Sequence, residues 1–354
     1  MRSSVETGSP RTSSQSAAYG LTRSMCPEKQ YYKTCLEVQW HSVCSCPFQT
    51  RQQRMLLTHT SQATFGALLF SPNPSTDITL VLKPGYDFPT ALLQTFESWN
   101  VDLHTISSST VTSARGRVLY GNNASERTFE RLTEPRVTDL DDLLATSAAA
   151  ARCFHLFDTP GDANKWIDDL LPVRSANDIK DQPLFIWEPQ AKSCSPETFE
   201  AHKAVAARVT VFSPNHAELA QFFPAGHHPA QFSRKVVEEQ ARAFLSPGVC
   251  IIIRCAEHGC YVLSTPATVG TWLPPYHGQE SAHRVVDPTG AGNAFLGGVA
   301  MGLVQNSGDF VHAARCGSVS ASFVVEGVGL PDPRSCDAWA RLGEMVQKSQ
   351  QHIR

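Results

Sequence analysis

The sequence predicts an α/β protein of three layers, in which helices cover both faces of a mostly parallel β-sheet and a small β flap stands outside it. Two observations lead to this prediction. Beyond Ser61, short β-rich runs alternate with helical patterns of about ten residues, which is typical of βαβ units. The chain has 354 residues, of which 42% are hydrophobic and 18% charged, so it is long and apolar enough for one large domain.

The alternation can be followed along the chain. The predicted strands are Asp77–Leu82, Cys153–Phe157, Pro183–Trp187, Val209–Phe212, Val249–Arg254 and Gly259–Leu263. The predicted helices are Pro89–Trp99, Ala163–Leu171, Pro196–Ala207, His216–Phe223 and Ser233–Leu245. Strands separated by helices favour parallel pairing, because a crossover helix returns the chain to the same end of the sheet.

The segment from Thr112 to Thr133 follows a different pattern. Polar side chains alternate there with apolar ones around the turn-forming residues Gly121, Asn122 and Asn123. This pattern predicts a hairpin or small flap outside the main sheet.

Residues 1–60 show no sustained periodicity, either of the helical or of the strand kind. We therefore expect a disordered or aberrant N-terminal region there. The domain is predicted over residues 61–345, with its flap over residues 110–134, and a tail over residues 346–354.

Composition and charge exclude several classes of protein. Lys and Arg total 30 against 33 Asp and Glu, and neither sign forms a block, so no nucleic-acid partner is expected. The apolar run Ala294–Val304 is too short to cross a bilayer, so no membrane association is expected. The 11 cysteines are scattered, which predicts reduced, mostly buried thiols and a cytoplasmic protein.

The most informative segment is Val285–Gly298. An apolar strand end leads into Asp287, a glycine-rich turn over residues 290–292, and then a helix of small and apolar residues. Glycines let the backbone bend tightly and aim successive N–H groups at one point, and the helix N-terminus adds positive potential. The segment predicts a binding site for an anion such as a phosphoryl group. The alternative is that the glycines serve only close packing.

This segment resembles the C-terminal signature of the PfkB family of carbohydrate kinases, which reads DTxGAGD before a glycine-rich helix that contains Phe. The matching residues are Asp287, Thr289, Gly290, Ala291, Gly292, Phe295, Gly297 and Gly298. The resemblance implies a ribokinase-like fold with a lid, in which Asp287 and Thr289 border the nucleotide. It also implies that Gly290, Ala291 and Gly292 hold the transferring phosphoryl group.

Asn293 stands where the family has the acidic residue that deprotonates the acceptor hydroxyl. A neutral carboxamide cannot take that proton in the working pH range. If the reaction persists, its rate is expected to be lower by about 10²- to 10⁴-fold. Asn293 can still hydrogen-bond the acceptor, so ligand binding can survive where turnover does not.

Asn215 and Glu218 follow a predicted strand in an NxxE arrangement. This arrangement resembles the family element that organises Mg²⁺ and phosphate, which implies that both residues lie at the nucleotide and that Glu218 lies at the metal. The residues alone allow a second reading, in which Asn215 is a helix N-cap and Glu218 completes a capping box.

The segment Arg254–Cys260 lies where the family usually has a Thr, a small residue and a Gly that line the nucleotide site. Gly259 keeps the glycine, whereas Arg254 and Ala256 replace the expected Thr and Gly. Arg254 is expected to pair either with a phosphate of the nucleotide or with a buried carboxylate, and the sequence does not decide between them.

Two further positions concern the acceptor. Glu188 ends a strand that resembles one with an acidic residue in related kinases, so it either faces the ligand or is a solvated loop residue. Arg115 belongs to the flap that resembles the lid over the acceptor, whose role would be to exclude water.

The N-terminus departs most from the family, whose members begin with a strand, an acidic residue and a Gly-Gly pair. Ser61–Phe70 resembles the helix that follows this pair, but the glycines and the opening strand are expected to be missing here. Within the family, the nearest resemblance is to a fungal subgroup typified by the maintenance-of-killer protein, whose members also carry an Asn in the motif.

The resemblance implies ATP-dependent phosphorylation of a sugar or similar alcohol, with Mg²⁺ at the phosphates. The rival hypothesis is a catalytically silent nucleotide-binding or regulatory protein, which Asn293 and the missing Gly-Gly pair favour. A hydride-transferring dinucleotide enzyme is disfavoured, because the glycine-rich turn lies far from the first strand. Many relatives dimerise through the lid, so the resemblance allows a homodimer, but the flap shows no decisive apolar edge.

Overall fold

The protein is described here from a computed structural model. The described residues are 34–36, 41–44, 56–120, 127–134, 136–224, 231–267 and 269–352. No helix in these ranges is both long and apolar enough to span a membrane.

Thirteen strands lie in the described ranges and form two sheets. In chain order they are β1 Thr34–Leu36, β2 His41–Cys44, β3 Leu56–Thr58, β4 Ile78–Leu82, β5 Asp102–Thr105, β6 Gly116–Tyr120, β7 Arg127–Arg131, β8 Cys153–Asp158, β9 Leu184–Pro189, β10 Val211–Phe212, β11 Cys250–Arg254, β12 Cys260–Ser264 and β13 Thr271–Leu273. The large sheet has nine strands in the order β13-β12-β11-β10-β9-β8-β1-β4-β5. Its pairs are parallel from β11 to β5, and only β12 and β13 run antiparallel to their neighbours.

Most of the helices that cover this sheet lie between its strands along the chain, whereas the last three follow its last strand. Within the described residues they are α1 His59–Leu68, α2 Pro74–Asp77, α3 Thr90–Ser98, α4 Leu140–Leu144, α5 Pro160–Ala176, α6 Phe199–Ala206, α7 His216–Gln221, α8 Arg234–Arg242, α9 Ala291–Gln305, α10 Phe310–Val324 and α11 Ala338–His352.

Two hydrophobic clusters occupy the two faces of the large sheet. Strand β11 illustrates the division, because Cys250 and Ile252 belong to one cluster whereas Ile251 and Ile253 belong to the other. Successive side chains of a strand point to opposite faces, so an all-apolar strand is expected wherever both faces are covered. Helices α1, α9, α10 and α11 pack on the first face and α5 to α8 on the second. The predicted three-layer α/β fold is therefore confirmed.

The small sheet has four strands in the order β3-β2-β6-β7. Strands β6 and β7 form the antiparallel pair predicted for Thr112–Thr133, with Gly116 opposite Arg131 and Tyr120 opposite Arg127. The turn predicted between them falls outside the described residues. The flap is thus part of a larger sheet than the sequence predicted, since β2 and β3 precede it in the chain.

The six strands predicted for the main sheet are all present, and each begins and ends within two residues of its predicted limits. The five predicted helices are present too. Helix α5 is longer than predicted, because it starts at Pro160 behind the N-cap Thr159 and continues past the internal Pro172. The edge strands β5 and β13 were not predicted. Helix α11 continues to His352, so the predicted tail from residue 346 is mostly helical.

The predicted absence of an opening strand is wrong. Residues Thr34–Leu36 form β1, which lies inside the large sheet and pairs in parallel with both β4 and β8. A three-residue strand between two neighbours needs no periodic pattern of its own, because its hydrogen bonds come from both sides. Most of the region predicted to be disordered or aberrant, residues 1–33, 37–40 and 45–55, lies outside the described residues.

Helices α1 and α9 pack backbone against backbone. A Cβ atom at Gly66 of α1 would overlap the carbonyl of Ala294, and one at Gly297 of α9 would overlap the carbonyl of Ala63. Only glycine permits so close an approach. The alternative that the glycines serve close packing therefore explains Gly297. This packing also holds the N-terminal end of α1 beside the glycine-rich turn.

Candidate functional site

The glycine-rich turn forms the entry to α9. Gly290 is the N-cap residue and has a φ of 85°, in the left-handed region that favours glycine. The carboxylate of Asp287 accepts a hydrogen bond from the Thr289 amide at 2.9 Å, which holds the turn in shape. The Ala291 amide donates to the Pro288 carbonyl at 3.2 Å, so this one of the predicted anion-binding amides has an internal acceptor.

Asn293 lies in the first turn of α9, and its side chain is buried. Its Nδ2 donates a hydrogen bond of 2.8 Å to Oε1 of Gln62, from α1. The Gln62 amide also lies against the Cα of Gly290, where a Cβ atom would overlap it. One glutamine therefore contacts Gly290, at the start of the turn, and Asn293, directly after it, and it orients the Asn293 carboxamide.

Arg254 approaches the turn from the other side. It is the last residue of β11, and a Cβ atom at Gly292 would overlap its Nη1 atom. Its Nη2 atom lies 2.8 Å from Oε1 of Glu188 and 3.5 Å from Oε2 of Glu218, and it donates to the Ser213 carbonyl at 3.0 Å. The structure thus brings together the predicted residues 188, 218, 254 and 292.

Glu188 lies near the end of β9 and is only 5% exposed, so the reading of a solvated loop residue is wrong. Its Oε1 faces Arg254, and its Oε2 lies 3.4 Å from Nε2 of the buried His155, on β8. The carboxyl ends of parallel strands meet at one edge of a sheet, which explains why residues so distant in sequence converge here. Both carboxylate oxygens of Glu188 face cationic or imidazole partners inside the protein.

Asn215 and Glu218 form the capping box of α7. The Asn215 side chain accepts hydrogen bonds from the amides of Ala217 and Glu218, both at 2.9 Å, and the Glu218 carboxylate accepts one from the Asn215 amide at 2.8 Å. The helix-capping reading is therefore confirmed for both side chains. Burial lowers the pKa of the adjacent His216, which keeps this imidazole neutral at pH 7.

Two predicted residues have other surroundings. Arg115 pairs with Asp87 at the base of the flap, and the Asp87 carboxylate also accepts a hydrogen bond of 2.6 Å from the Ser113 amide. Burial acts to raise the pKa of Asp87, but these hydrogen bonds and the Arg115 charge outweigh it and hold the pKa below its usual value. Gly259 has a φ of 87° and packs against the carbonyl of Leu273, which explains this glycine by backbone geometry alone.

An open cleft of about 370 Å³ is formed by the end of α10, the segment that follows it and Arg341 of α11. The Val325 carbonyl, next in sequence to the lining residue Glu326, accepts hydrogen bonds from the amides of Val286, at 2.7 Å, and Asp287, at 3.1 Å. Its lining residues are Phe323, Glu326, Gly327, Val328, Gly329, Leu330, Pro331, Ser335, Cys336 and Arg341. Arg341 stiffens one wall, since its Nη2 lies 2.9 Å from Oε2 of Glu326 and its guanidinium stacks on the ring of Phe323.

The sequence interpretation missed Gln62 and His155. Small residues such as Ala63 and Gly66 are typical of a helix that packs closely on another helix, and Gln62 lies one turn before Gly66 on the same side. That spacing could have placed Gln62 at the turn. His155 gave no such signal, because a single histidine in an apolar strand is usual in a protein core.

A directly coordinated metal ion does not fit the residues at this site. Mg²⁺ requires several oxygen ligands at about 2.0–2.1 Å. The Glu218 carboxylate accepts a backbone hydrogen bond and faces Arg254, and Glu188 faces Arg254 and His155. In the described part of the chain, no group of three or more His, Cys, Asp or Glu side chains is arranged to hold a metal.

A three-layer α/β fold with a small flap sheet and a glycine turn at the edge of the main sheet defines a class of small-molecule kinases. The model of the pfkB family carbohydrate kinases matches residues 73–335 of this chain. The chain therefore belongs to the PfkB family.

Two fungal proteins are similar over most of their length. Protein MAK32 of Saccharomyces cerevisiae is 27% identical over 283 residues, which cover 76% of this chain and 77% of that protein. An uncharacterised protein of Schizosaccharomyces pombe is 28% identical over 293 residues, 77% of this chain and 78% of that protein. The predicted resemblance to the maintenance-of-killer subgroup is confirmed.

Solved structures agree on the fold. Ribokinase from Giardia lamblia superposes with a TM-score of 0.66 at 14% identity and covers 90% of this chain and 99% of its own. Adenosine kinase from Schistosoma mansoni superposes with a TM-score of 0.64 at 12% identity, over 87% of this chain and 99% of its own. At these identities the likeness establishes the ribokinase-like fold.

Proposed function

We propose that this chain is an ATP-dependent kinase of a small, sugar-like alcohol, and that Asn293 makes its turnover slow. The observation that carries the proposal is the left-handed Gly290 at the start of α9, a helix of 15 residues. The first turn of a helix leaves N–H groups without intrahelical acceptors, and the helix dipole makes the same point positive. A phosphoryl group is the ligand that such a turn favours.

The residues around the turn take these roles in the proposal. The amides of Gly290, Gly292 and Asn293 hold the transferring phosphoryl group, whereas the Ala291 amide serves the turn itself. Asp287 and Thr289 shape the entry, and the cleft between Phe323 and Arg341 takes the rest of the nucleotide. Because Arg254 contacts Gly292, its Nη1 edge can reach a phosphate oxygen.

Transfer requires that the acceptor oxygen attack the terminal phosphorus while the bond to the bridging oxygen breaks and ADP leaves. The acceptor hydroxyl must then lose its proton. The Asn293 carboxamide can hydrogen-bond that hydroxyl, but it cannot accept the proton, which must pass to water instead. The amides and Arg254 still stabilise the charge on the phosphoryl group, so a slow reaction is consistent with the site.

A second candidate function is that of a nucleotide-binding protein without catalytic activity. The hydrogen bond from Asn293 Nδ2 to Gln62 favours it, because it gives the carboxamide a structural partner in the absence of any substrate. Both candidates require that ATP bind at the same turn. They differ in whether ADP forms when an acceptor is present.

The first test is titration calorimetry of the full-length chain with ATP, using the variant Gly290→Ala. An Ala side chain at residue 290 would overlap the Gln62 amide and would have to adopt a positive φ. We expect affinity to fall by about 10-fold or more, as for a loss of at least 1.4 kcal/mol. Gly248→Ala is the matched control, since Gly248 has a φ of 84° but open space around it.

The control variant should bind ATP as the unchanged chain does, which separates the strain of a positive φ from damage to the turn. Failure of the unchanged chain to bind ATP would refute the proposal. Equal binding by Gly290→Ala and Gly248→Ala would place the nucleotide elsewhere. ADP release is then measured with a panel of sugars and polyols. Release favours the slow kinase, and no release favours the nucleotide-binding protein without catalytic activity.

A further inference from the structure

The cluster of Arg254, Glu188 and Glu218 holds a buried cation beside the glycine-rich turn. The three side chains are between 7% and 12% exposed, so their charges interact with little screening by water. One guanidinium lies between two carboxylates, and the three formal charges sum to minus one.

The two amino groups of Arg254 face different ways. Nη2 points to the carboxylates and to the Ser213 carbonyl, whereas Nη1 packs on the Cα of Gly292. The guanidinium is planar and rigid, so fixing one edge against Glu188 also fixes the other edge at the turn. A positive group is therefore held beside the amides to which we assign the phosphate.

A hydrated metal ion would compete with this arrangement. The Glu218 carboxylate already accepts a hydrogen bond from the Asn215 amide, and both Glu218 and Glu188 face Arg254. A divalent ion at either carboxylate would therefore stand within a few ångströms of the guanidinium charge. Like charges so close repel each other in a weakly screened site. The residues thus fit a fixed side-chain cation and do not fit a direct metal ligand set.

We infer that Arg254 is a resident cation that takes the place of the metal ion, so that the phosphates of a nucleotide bind at the glycine turn without Mg²⁺. This inference rests on the proposed function, because it concerns the same turn and the same ligand. It also explains Gly292, because any side chain there would displace the guanidinium.

The test compares ATP binding by titration calorimetry in excess Mg²⁺ and in excess EDTA, with the full-length chain. We expect the two dissociation constants of the unchanged chain to agree within about three-fold. Arg254→Thr introduces the residue usual in the family. In EDTA it should weaken ATP binding by about 10- to 100-fold, as for the loss of a charge-assisted hydrogen bond. Mg²⁺ should restore part of that loss, because both carboxylates are then available to a hydrated ion.

Arg208→Thr is the matched control. Arg208 pairs with Asp168 and Asn164 at the surface, so its loss should leave ATP binding unchanged in both buffers. Thermal unfolding of each variant shows whether it folds. If Arg254→Thr does not fold, Arg254→Lys replaces it, since lysine keeps the charge but loses the planar fork. That variant should bind more weakly than the unchanged chain and equally with and without Mg²⁺.

The outcomes separate the two proposals. If the unchanged chain binds ATP at least about 10-fold more tightly in Mg²⁺ than in EDTA, the inference that Arg254 replaces the metal ion is wrong, and the proposed function stands. The inference is also wrong if the Arg254→Thr or the Arg254→Lys variant binds ATP in EDTA as tightly as the unchanged chain does. No binding in either buffer would overturn the proposed function and this inference together.

Discussion

The substitution Asn293→Asp returns a carboxylate to the position of the missing base. The change removes the Nδ2 donor that lies 2.8 Å from Oε1 of Gln62, so two oxygen atoms would face each other. A glutamine amide can rotate by half a turn and present its own nitrogen, which would rebuild the hydrogen bond. If close packing against Gly290 prevents that rotation, the unmatched pair costs about 1–3 kcal/mol of stability.

A positioned general base contributes about 10²- to 10⁴-fold to a rate. We therefore expect Asn293→Asp to raise kcat by that order with at least one acceptor, with little change in the KM for ATP. The assay is ADP formation over a panel of sugars and polyols, with an acceptor-free blank. Asn177→Asp, the same change at the exposed C-cap of α5, is the control and should have no effect on ADP formation.

One result would refute this reasoning. If Asn293→Asp unfolds at the same temperature as the unchanged chain and binds ATP equally well, yet forms no more ADP than Asn177→Asp with any acceptor, the chain is not a latent kinase. The silent nucleotide-binding candidate would then stand. A variant that loses ATP binding instead would show that the Gln62 hydrogen bond shapes the turn.

Three further predictions concern stability. Gly297→Ala should lower the free energy of unfolding by about 1–3 kcal/mol in urea titrations, because the new Cβ atom would overlap the backbone of α1. Gly343→Ala in α11 has open space around it and should raise the free energy of unfolding by about 0.5–1 kcal/mol. Burial lowers the pKa of His202 below the value of about 6.5 in the unfolded chain. The contribution of His202 to the free energy of unfolding should therefore be complete above about pH 6.5 and decrease as the pH falls. His202→Gln should make this decrease smaller in thermal melts. Arg174→Met should lower the free energy of unfolding by about 3 kcal/mol or more in urea titrations, because three backbone carbonyls lose the guanidinium donor. The surface variant Arg208→Met should lower it by less than about 1 kcal/mol.

Each of these predictions has an outcome that contradicts its cause. Equal effects of the two glycine substitutions would mean that the two helices move apart freely to accept a methyl group. A pH dependence that His202→Gln leaves untouched would assign it to other groups, of which His216 and His277 also have pKa values lowered by burial. A small effect of Arg174→Met would mean that water replaces the guanidinium.

The main sheet could be predicted because strands with both faces covered are apolar throughout and are separated by recognisable helices. Cys250–Arg254 is such a strand, and it was located within one residue. The short elements could not be predicted in this way. Strand β1 has three residues and β13 has three, and at that length pairing with neighbours decides the conformation more than the side-chain pattern does.

The candidate site was predictable where a motif fixes backbone geometry. Gly290 at the helix entry follows from local sequence, and the capping box of Asn215 and Glu218 was one of the two readings that the local sequence allowed. The partner of Arg254 did not follow, because Glu188 lies on another strand and pairing across a sheet is set by the fold. For the same reason, the position of Gln62 beside the turn follows from the packing of α1 against α9 and was not predicted from the sequence pattern.

Arg254 lies against the residue that precedes Asn293, and we expect its charge to limit the gain from Asn293→Asp. The guanidinium packs on Gly292, the residue next to Asn293, so a new carboxylate would lie near a fixed positive charge. A nearby cation favours the ionised form and lowers the pKa of the carboxyl, which weakens it as a base. We therefore expect the gain in kcat from Asn293→Asp, measured in Mg²⁺, to be larger in chains that also carry Arg254→Thr. Equal gains in the two backgrounds would mean that the guanidinium charge does not reach residue 293.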